Sequence, residues 1–167
     1  LNKVRVVFEG RQRSDIVHLS NMNLEPMSYA LSLVTMRRGE DGRFFEPKVE
    51  TAEEILAKSL IRVSPRRTKI WPRSRHLVKL LLRKPKNLPE GEYQTRLKFM
   101  PIAVEKTSSA SDSTEKGQAQ FQVKVVVGIT IPVIIQHGKL QGSATPVAFS
   151  LVDYPQASSG AAVNITL

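Results

Sequence analysis

The 167-residue chain contains no cysteine. That excludes a disulfide scaffold, a thiolate zinc site and a cysteine nucleophile. Aromatic residues are scarce, at 6%, with a single tryptophan. No apolar run approaches the roughly 18–20 residues that a membrane span requires, so no span is expected. His18, His76 and His137 are far apart, and none has a neighbouring His, Asp or Glu at metal-ligand spacing. They read as ordinary structural or surface residues, and no metal is expected. Nucleotide-type glycine loops are missing, because Gly39, Gly42 and Gly91 stand in isolated turns. Ser108, Ser109, Ser111 and Ser113 lie in no strand–turn–helix elbow that would present a nucleophile. Nothing has the pattern of an active site, so the chain is read as a non-enzyme without a cofactor.

What the sequence does contain is alternation. Hydrophobic content of 41% is near the globular average and excludes a disordered chain. Val4, Val6 and Phe8 alternate with Arg5, Val7 and Glu9 before Gly10, and residues 15–20 and 29–34 follow the same period of two. Further strand-like runs cover 60–63, 77–82, 93–100 and 121–135. β-branched and aromatic residues bounded by Gly, Pro and Asn mark strands, and seven short ones at this spacing imply an all-β chain built as an antiparallel β-sandwich. The exception is 51–58, where Thr51 and Glu54 fit a capping box opening one or two helical turns. Pro65 to Pro72 reads as a basic loop whose prolines argue against a central strand, and Glu105 to Gly117 as a polar surface loop. From about residue 138 a new alternating region starts, at 147–152 and 163–167. The expected organisation is therefore one sandwich over 1–137 and the opening of a second, truncated one over 138–167.

Charge is unevenly placed. There are 25 Lys and Arg against 15 Asp and Glu, a net charge of +10. Residues 1–61 balance, as do 107–167, so the whole excess falls in 62–106. Arg66, Arg67, Lys69, Arg73 and Arg75 flank Trp71, the combination of cations and a stacking ring that suits a single-stranded nucleic acid. A plainer reading makes Lys79, Arg83, Arg96 and Lys98 the solvated outer faces of strands whose inner faces are Val78, Leu80 and Leu97. The first reading gives a β-sandwich module binding a polyanion through 62–106. The second leaves no nucleic-acid partner.

Several pieces in order point elsewhere. They are Val4-Arg5-Val6, Ser20-Asn21, Leu60-Ile-Arg-Val-Ser-Pro65, Pro72, Leu77-Val-Lys-Leu80, Leu88-Pro-Glu-Gly-Glu-Tyr93, a strand ending in Pro101, and a long apolar strand ending in Ile131-Pro132. In this order they closely resemble the first immunoglobulin-like domain of the PapD-like periplasmic pilus chaperones, from Val4 to Gln136. The resemblance implies a periplasmic chaperone that holds pilus or fimbrial subunits by donor-strand complementation and delivers them to an outer-membrane usher. A lent strand needs exposed backbone groups and apolar side chains at every second position. Ala119, Phe121, Val123, Val125 and Val127 meet that need on one face, with Gln118, Gln120, Gln122 and Lys124 on the other. Ala119 to Val123 is the part expected to be lent, and from Val125 onward the face is expected to turn into the chain's own core. Such an exposed edge also invites self-association.

The resemblance further implies a subunit carboxylate anchor made by an Arg on the first strand and a Lys on the lent strand. Arg5 matches the first, although alone it reads as a plain outward-facing residue. The second position falls near Val127 or Gly128, neither of them basic, which leaves Lys124 as the nearest candidate. Lys79 and Glu92 match positions of a structural ion pair in that family.

Overall fold

The computed structural model describes residues 1–102, 126–143, 145–153 and 161–166. In chain order its elements are β1 (Val6–Phe8), β2 (Ser14–Ser20), β3 (Met27–Val34), β4 (Arg37–Arg38), β5 (Phe44–Phe45), α1 (Ala52–Ser59), β6 (Ile61–Ser64), β7 (Arg67–Ile70), β8 (Arg75–Leu82), β9 (Gly91–Ile102), β10 (Ile129–His137), β11 (Ala148–Asp153) and β12 (Ala161–Thr166). A five-stranded sheet runs β1-β10-β9-β3-β7, and a three-stranded sheet runs β2-β8-β6. Pairing is antiparallel except between β1 and β10, where Val6 to Phe8 run parallel to Val133 to Ile135. β11 and β12 form a separate antiparallel hairpin.

The period of two puts the core between the sheets. Val17 and Leu19 of β2 and Val78, Leu80 and Leu82 of β8 are buried from one side. Leu31, Leu97, Phe99, Ile131, Val133 and Ile135 are buried from the other, with Val6 and Phe8. This is the mostly-β sandwich that the alternation predicts. The helix also forms where its cap predicts. Thr51 Oγ1 accepts from the Glu54 amide at 3.3 Å, and the Glu54 carboxylate accepts from the Thr51 amide at 2.7 Å. Arg37 clamps the same carboxylate through Nε and Nη2 at 2.7 and 2.8 Å. That fork holds α1 beside β4.

Three expectations need correction. Residues 65–72 are not a loop throughout, because Arg67–Ile70 form β7, hydrogen-bonded to Met27–Ala30. The prolines confine it to the sheet margin rather than prevent it. Second, the strand expected over 121–135 starts only at Ile129 among the described residues, since 126–128 are not strand. Third, Arg96 and Lys98 are not simply solvated. Both are half-buried under the short β4–β5 hairpin, Arg96 lying 4.0 Å from the Phe44 ring centre and Lys98 paired with Glu46. Gly42, at φ +78°, makes the tight turn of that hairpin possible.

Candidate functional site

The site follows from the shortness of β1. It covers β10 only from Val133 to Ile135, whereas β10 pairs with β9 from Ile129 onward. From Ile129 to Pro132 the margin of β10 facing away from β9 therefore has no ladder among the described residues. Pro132, which has no N–H to offer, occupies the last position before β1 begins.

Side chains along this margin change character where the ladder stops. Ile131, Val133 and Ile135 are buried, but Ile129, on the same face, is 51% exposed. Val127 is 69% exposed, and Val126 is exposed too. The expectation that the apolar face turns inward from Val125 onward thus fails at 127 and 129 and holds from Ile131. At Gly128 the backbone lies against β9, and an added Cβ would come within 3.2 Å of Met100 and 3.4 Å of the Phe99 carbonyl. A side chain at that position would press on the flexible end of Met100, which would have to give by a few tenths of an ångström.

Arg5 is placed by its neighbours. Asn2 Oδ1 accepts from the His18 amide at 2.7 Å, and Lys3 pairs with Asp15 at 2.5 Å, so residues 2 and 3 are fastened to β2. Residues 6–8 are fastened to β10 on the opposite sheet. Val4 and Arg5 bridge the gap, both exposed, and the parallel register carried one residue back sets Arg5 level with Pro132. No carboxylate lies within ion-pairing distance of Arg5 among the described residues. A guanidinium unpaired among the described residues thus stands where the open margin begins, and it can grip a carboxylate in a forked pair.

Of the other residues singled out from the sequence, Ala119, Phe121, Val123, Lys124 and Val125 lie outside the described residues. Val127 is described, in the exposed stretch above. The Lys79–Glu92 pair does not form. Lys79 lies on β8 in the three-stranded sheet and Glu92 on β9 in the other, each facing outward from the sandwich, so the two sheets stand between them. Glu92 instead accepts from Gln94 Nε2 at 2.6 Å. Val4, Val126 and Ile129 were not distinguished as site residues by their sequence pattern. Only the length of β1 relative to β10 exposes them, and that length carries no local signal.

Among the described residues no competing chemistry gathers elsewhere. A cleft of about 600 Å³ over the outer face of β9 is lined by Arg38, Phe44, Glu53, Glu54, Gln94 and Arg96. Its central charges are engaged internally, Glu54 with Arg37 and Arg96 with Phe44. Among the described residues no cluster of His, Asp and Glu converges as a metal site would. No helix among them is long and apolar enough to cross a membrane.

Compared by sequence, the chain matches no family model and no curated protein. Compared by structure, it is similar to fimbrial chaperones. CsuC, solved with the tip subunit CsuE of the archaic chaperone-usher Csu pili of Acinetobacter baumannii, shares 15% identity at a TM-score of 0.51, over 80% of this chain and 54% of that one. The CupB2 chaperone of Pseudomonas aeruginosa shares 15% at 0.52, over 83% and 56%. A chaperone–tip adhesin complex of CFA/I fimbriae biogenesis shares 7% at 0.59, over 98% and 64%. The chain therefore spans between half and two thirds of the length of the solved chains it matches. At these identities the likeness is one of fold, and the immunoglobulin-like sandwich of the fimbrial chaperones is the fold of this chain.

Proposed function

We propose that the chain belongs to a non-enzymatic periplasmic assembly chaperone that holds pilus or fimbrial subunits by strand addition. The observation that carries the reading is the unladdered margin of β10, with Val126, Val127 and Ile129 exposed and Arg5 level with its end. Unpaired backbone groups beside apolar side chains are what an incomplete sandwich needs from outside to complete itself. The fold supports this, as do the solved neighbours whose names include a tip subunit, a tip adhesin or a pilin.

In this reading the lent strand runs on from the margin through Ala119, Phe121, Val123, Val125 and Val127. Arg5 grips the subunit's terminal carboxylate, with Lys124 as the second cation. The complex would pass the subunit to an outer-membrane usher. Residues 138–167 belong to a second sandwich, which the match covering 98% of the chain supports. The same apolar margin allows a free chaperone to associate with itself. Filling a groove with a strand needs only packing and backbone hydrogen bonds, so no cofactor has a role.

The test is co-expression with a fimbrial subunit, followed by co-purification through the subunit. Wild type is expected to be retained, while Arg5→Ala, Phe121→Asp and Ile129→Asp lose most of the subunit and keep their fold by circular dichroism. Retention of the subunit by all three variants would refute strand addition.

A further inference from the structure

The charge excess has no part in the reading above, and its most exposed portion lies next to a second apolar feature. Two loops meet where β9 ends and β10 begins, the one joining β2 to β3 (residues 21–26) and the one joining β7 to β8 (residues 71–74). Asn21, buried, fastens them together. Its amide donates to the Ser74 carbonyl at 2.9 Å, and its Nδ2 donates to the Ile70 carbonyl at 3.0 Å and the Glu25 carbonyl at 2.8 Å. These bonds bracket Trp71 on one loop and hold Met22 and Leu24 on the other.

All three apolar side chains point into solvent, Met22 at 86%, Leu24 at 76% and Trp71 at 61% exposure. Side chains that open stand clear of their neighbours, so they form tips rather than the walls of a groove. Lys69, Arg73 and Arg75 flank them and are exposed, as are Arg66 and Arg67 at the far end of β7, and none is within ion-pairing distance of a carboxylate among the described residues. Lys69 Nζ lies 4.6 Å from the centre of the Trp71 ring. Glu25 is the one carboxylate in the two loops, and it has a partner of its own.

We propose that this end of the sandwich docks on an anionic lipid bilayer surface. Protruding Met, Leu and Trp tips suit a medium that yields to them, and tryptophan in particular favours the headgroup level. The exposed cations of this edge, unpaired among the described residues, supply attraction to anionic headgroups within about a Debye length. An acidic protein would match the charge but would leave the tips to find pockets of their own. The proposal does not depend on the subunit-holding reading, because neither β10 nor Arg5 enters it.

Trp71 is the only tryptophan in the chain, so its emission reports directly on the site. The full chain is mixed with vesicles of phosphatidylglycerol and phosphatidylcholine, or of phosphatidylcholine alone, and followed by fluorescence and by flotation. A blue shift and co-flotation are expected with the anionic vesicles only, weakening as salt is raised. Met22→Asp with Leu24→Asp, and separately Arg67→Glu with Lys69→Glu, are expected to lower the partition by about tenfold or more. Should the aspartate pair fail to fold, the glutamate pair decides alone. Absence of wild-type flotation, equal flotation on neutral vesicles, or undiminished flotation of folded variants overturns the proposal. So does a blue shift produced by soluble polyglutamate where vesicles give none, which would assign the patch to an acidic protein.

Discussion

The five-stranded sheet has two open margins, and they are finished in opposite ways. At one margin β7 is four residues long, lies between Pro65 and Pro72, and turns Arg67 and Lys69 to solvent. At the other, Ile129 of β10 and Val127 just before it are exposed, with no cation among the described residues 126–132. Among the described residues both expose unpaired backbone groups, which template the addition of a further strand. Cations and prolines discourage that addition, whereas apolar side chains make it favourable by giving an incoming strand something to bury. One margin thus carries side chains that discourage a further strand, and in the proposed function the other is left for a partner.

The sharpest way to break this contrast is within β10 itself. Ile135 is fully buried and Ile129 half exposed, although both face the same way along one strand. Ile135→Ala is expected to lose about 2–5 kcal/mol in urea unfolding, and Ile129→Ala less than about 1 kcal/mol. Equal losses would place Ile129 in the core and leave no open margin. A smaller effect tests the other side. Asn21→Ala leaves the Ile70 and Glu25 carbonyls short of a donor and is expected to cost about 1–3 kcal/mol. Because Ile70 ends β7, Trp71 emission is expected to change in this variant under native conditions, with no change in strand pairing at β10 by hydrogen exchange.

The contrast between the margins explains what was legible in the sequence. Strands with a buried inner face announce themselves by period, so β2, β3, β8 and β9 stand close to where alternation sets them. The helix is legible for another reason, since Thr51 and Glu54 satisfy each other within three residues and need nothing distant. β4 and β5 are two residues each, too short for any period to register. β7 hides behind its prolines, which look like loop chemistry until β3 is seen to be its partner. The open margin was only half legible. An apolar alternating run shows that a face exists, not whether the protein's own core or another chain covers it. That depends on β1 stopping after Phe8. The Lys79–Glu92 pair failed for the same kind of reason, because a pairing across the chain requires knowing which sheet each strand joins. Arg5 was placed through the family likeness, and the structure adds that its two flanks are tied to different sheets.

A control lies on the outer cover of the strands that both margins share. Arg37 and the Thr51 amide hold the Glu54 carboxyl down at about 2, against an ordinary 4.5. A depressed value in the folded state means that this contribution is complete above pH 4.5 and is lost as pH falls from there toward 2. Acid titration of wild type is therefore expected to loosen α1 in that window, and Glu54→Gln to flatten the profile there. Thr51→Ala is expected to cost about 0.5–2 kcal/mol through the lost cap. Neither change should alter which margin accepts a strand, measured by subunit co-purification. A loss of subunit binding in Thr51→Ala would mean that the margins are coupled through α1 and β9 and are not set locally.

The smallest expected change in stability is the most direct test of what closes the β7 margin. Arg67→Val with Lys69→Val removes two exposed cations that make no ion pair among the described residues, and the fold is expected to hold within about 0.5 kcal/mol. The backbone of β7 would be unchanged, and its outer face would come to match that of β10. If side-chain charge is what keeps this margin closed, the double variant gains a concentration-dependent association that wild type lacks. Sedimentation velocity at matched concentrations reads it, and Ile129→Asp in the same background should leave the new association intact while removing any that runs through β10. A double variant no more associated than wild type would show that Pro65, Pro72 and the four-residue length of β7 suffice. Charge would then have no part in keeping the two margins different.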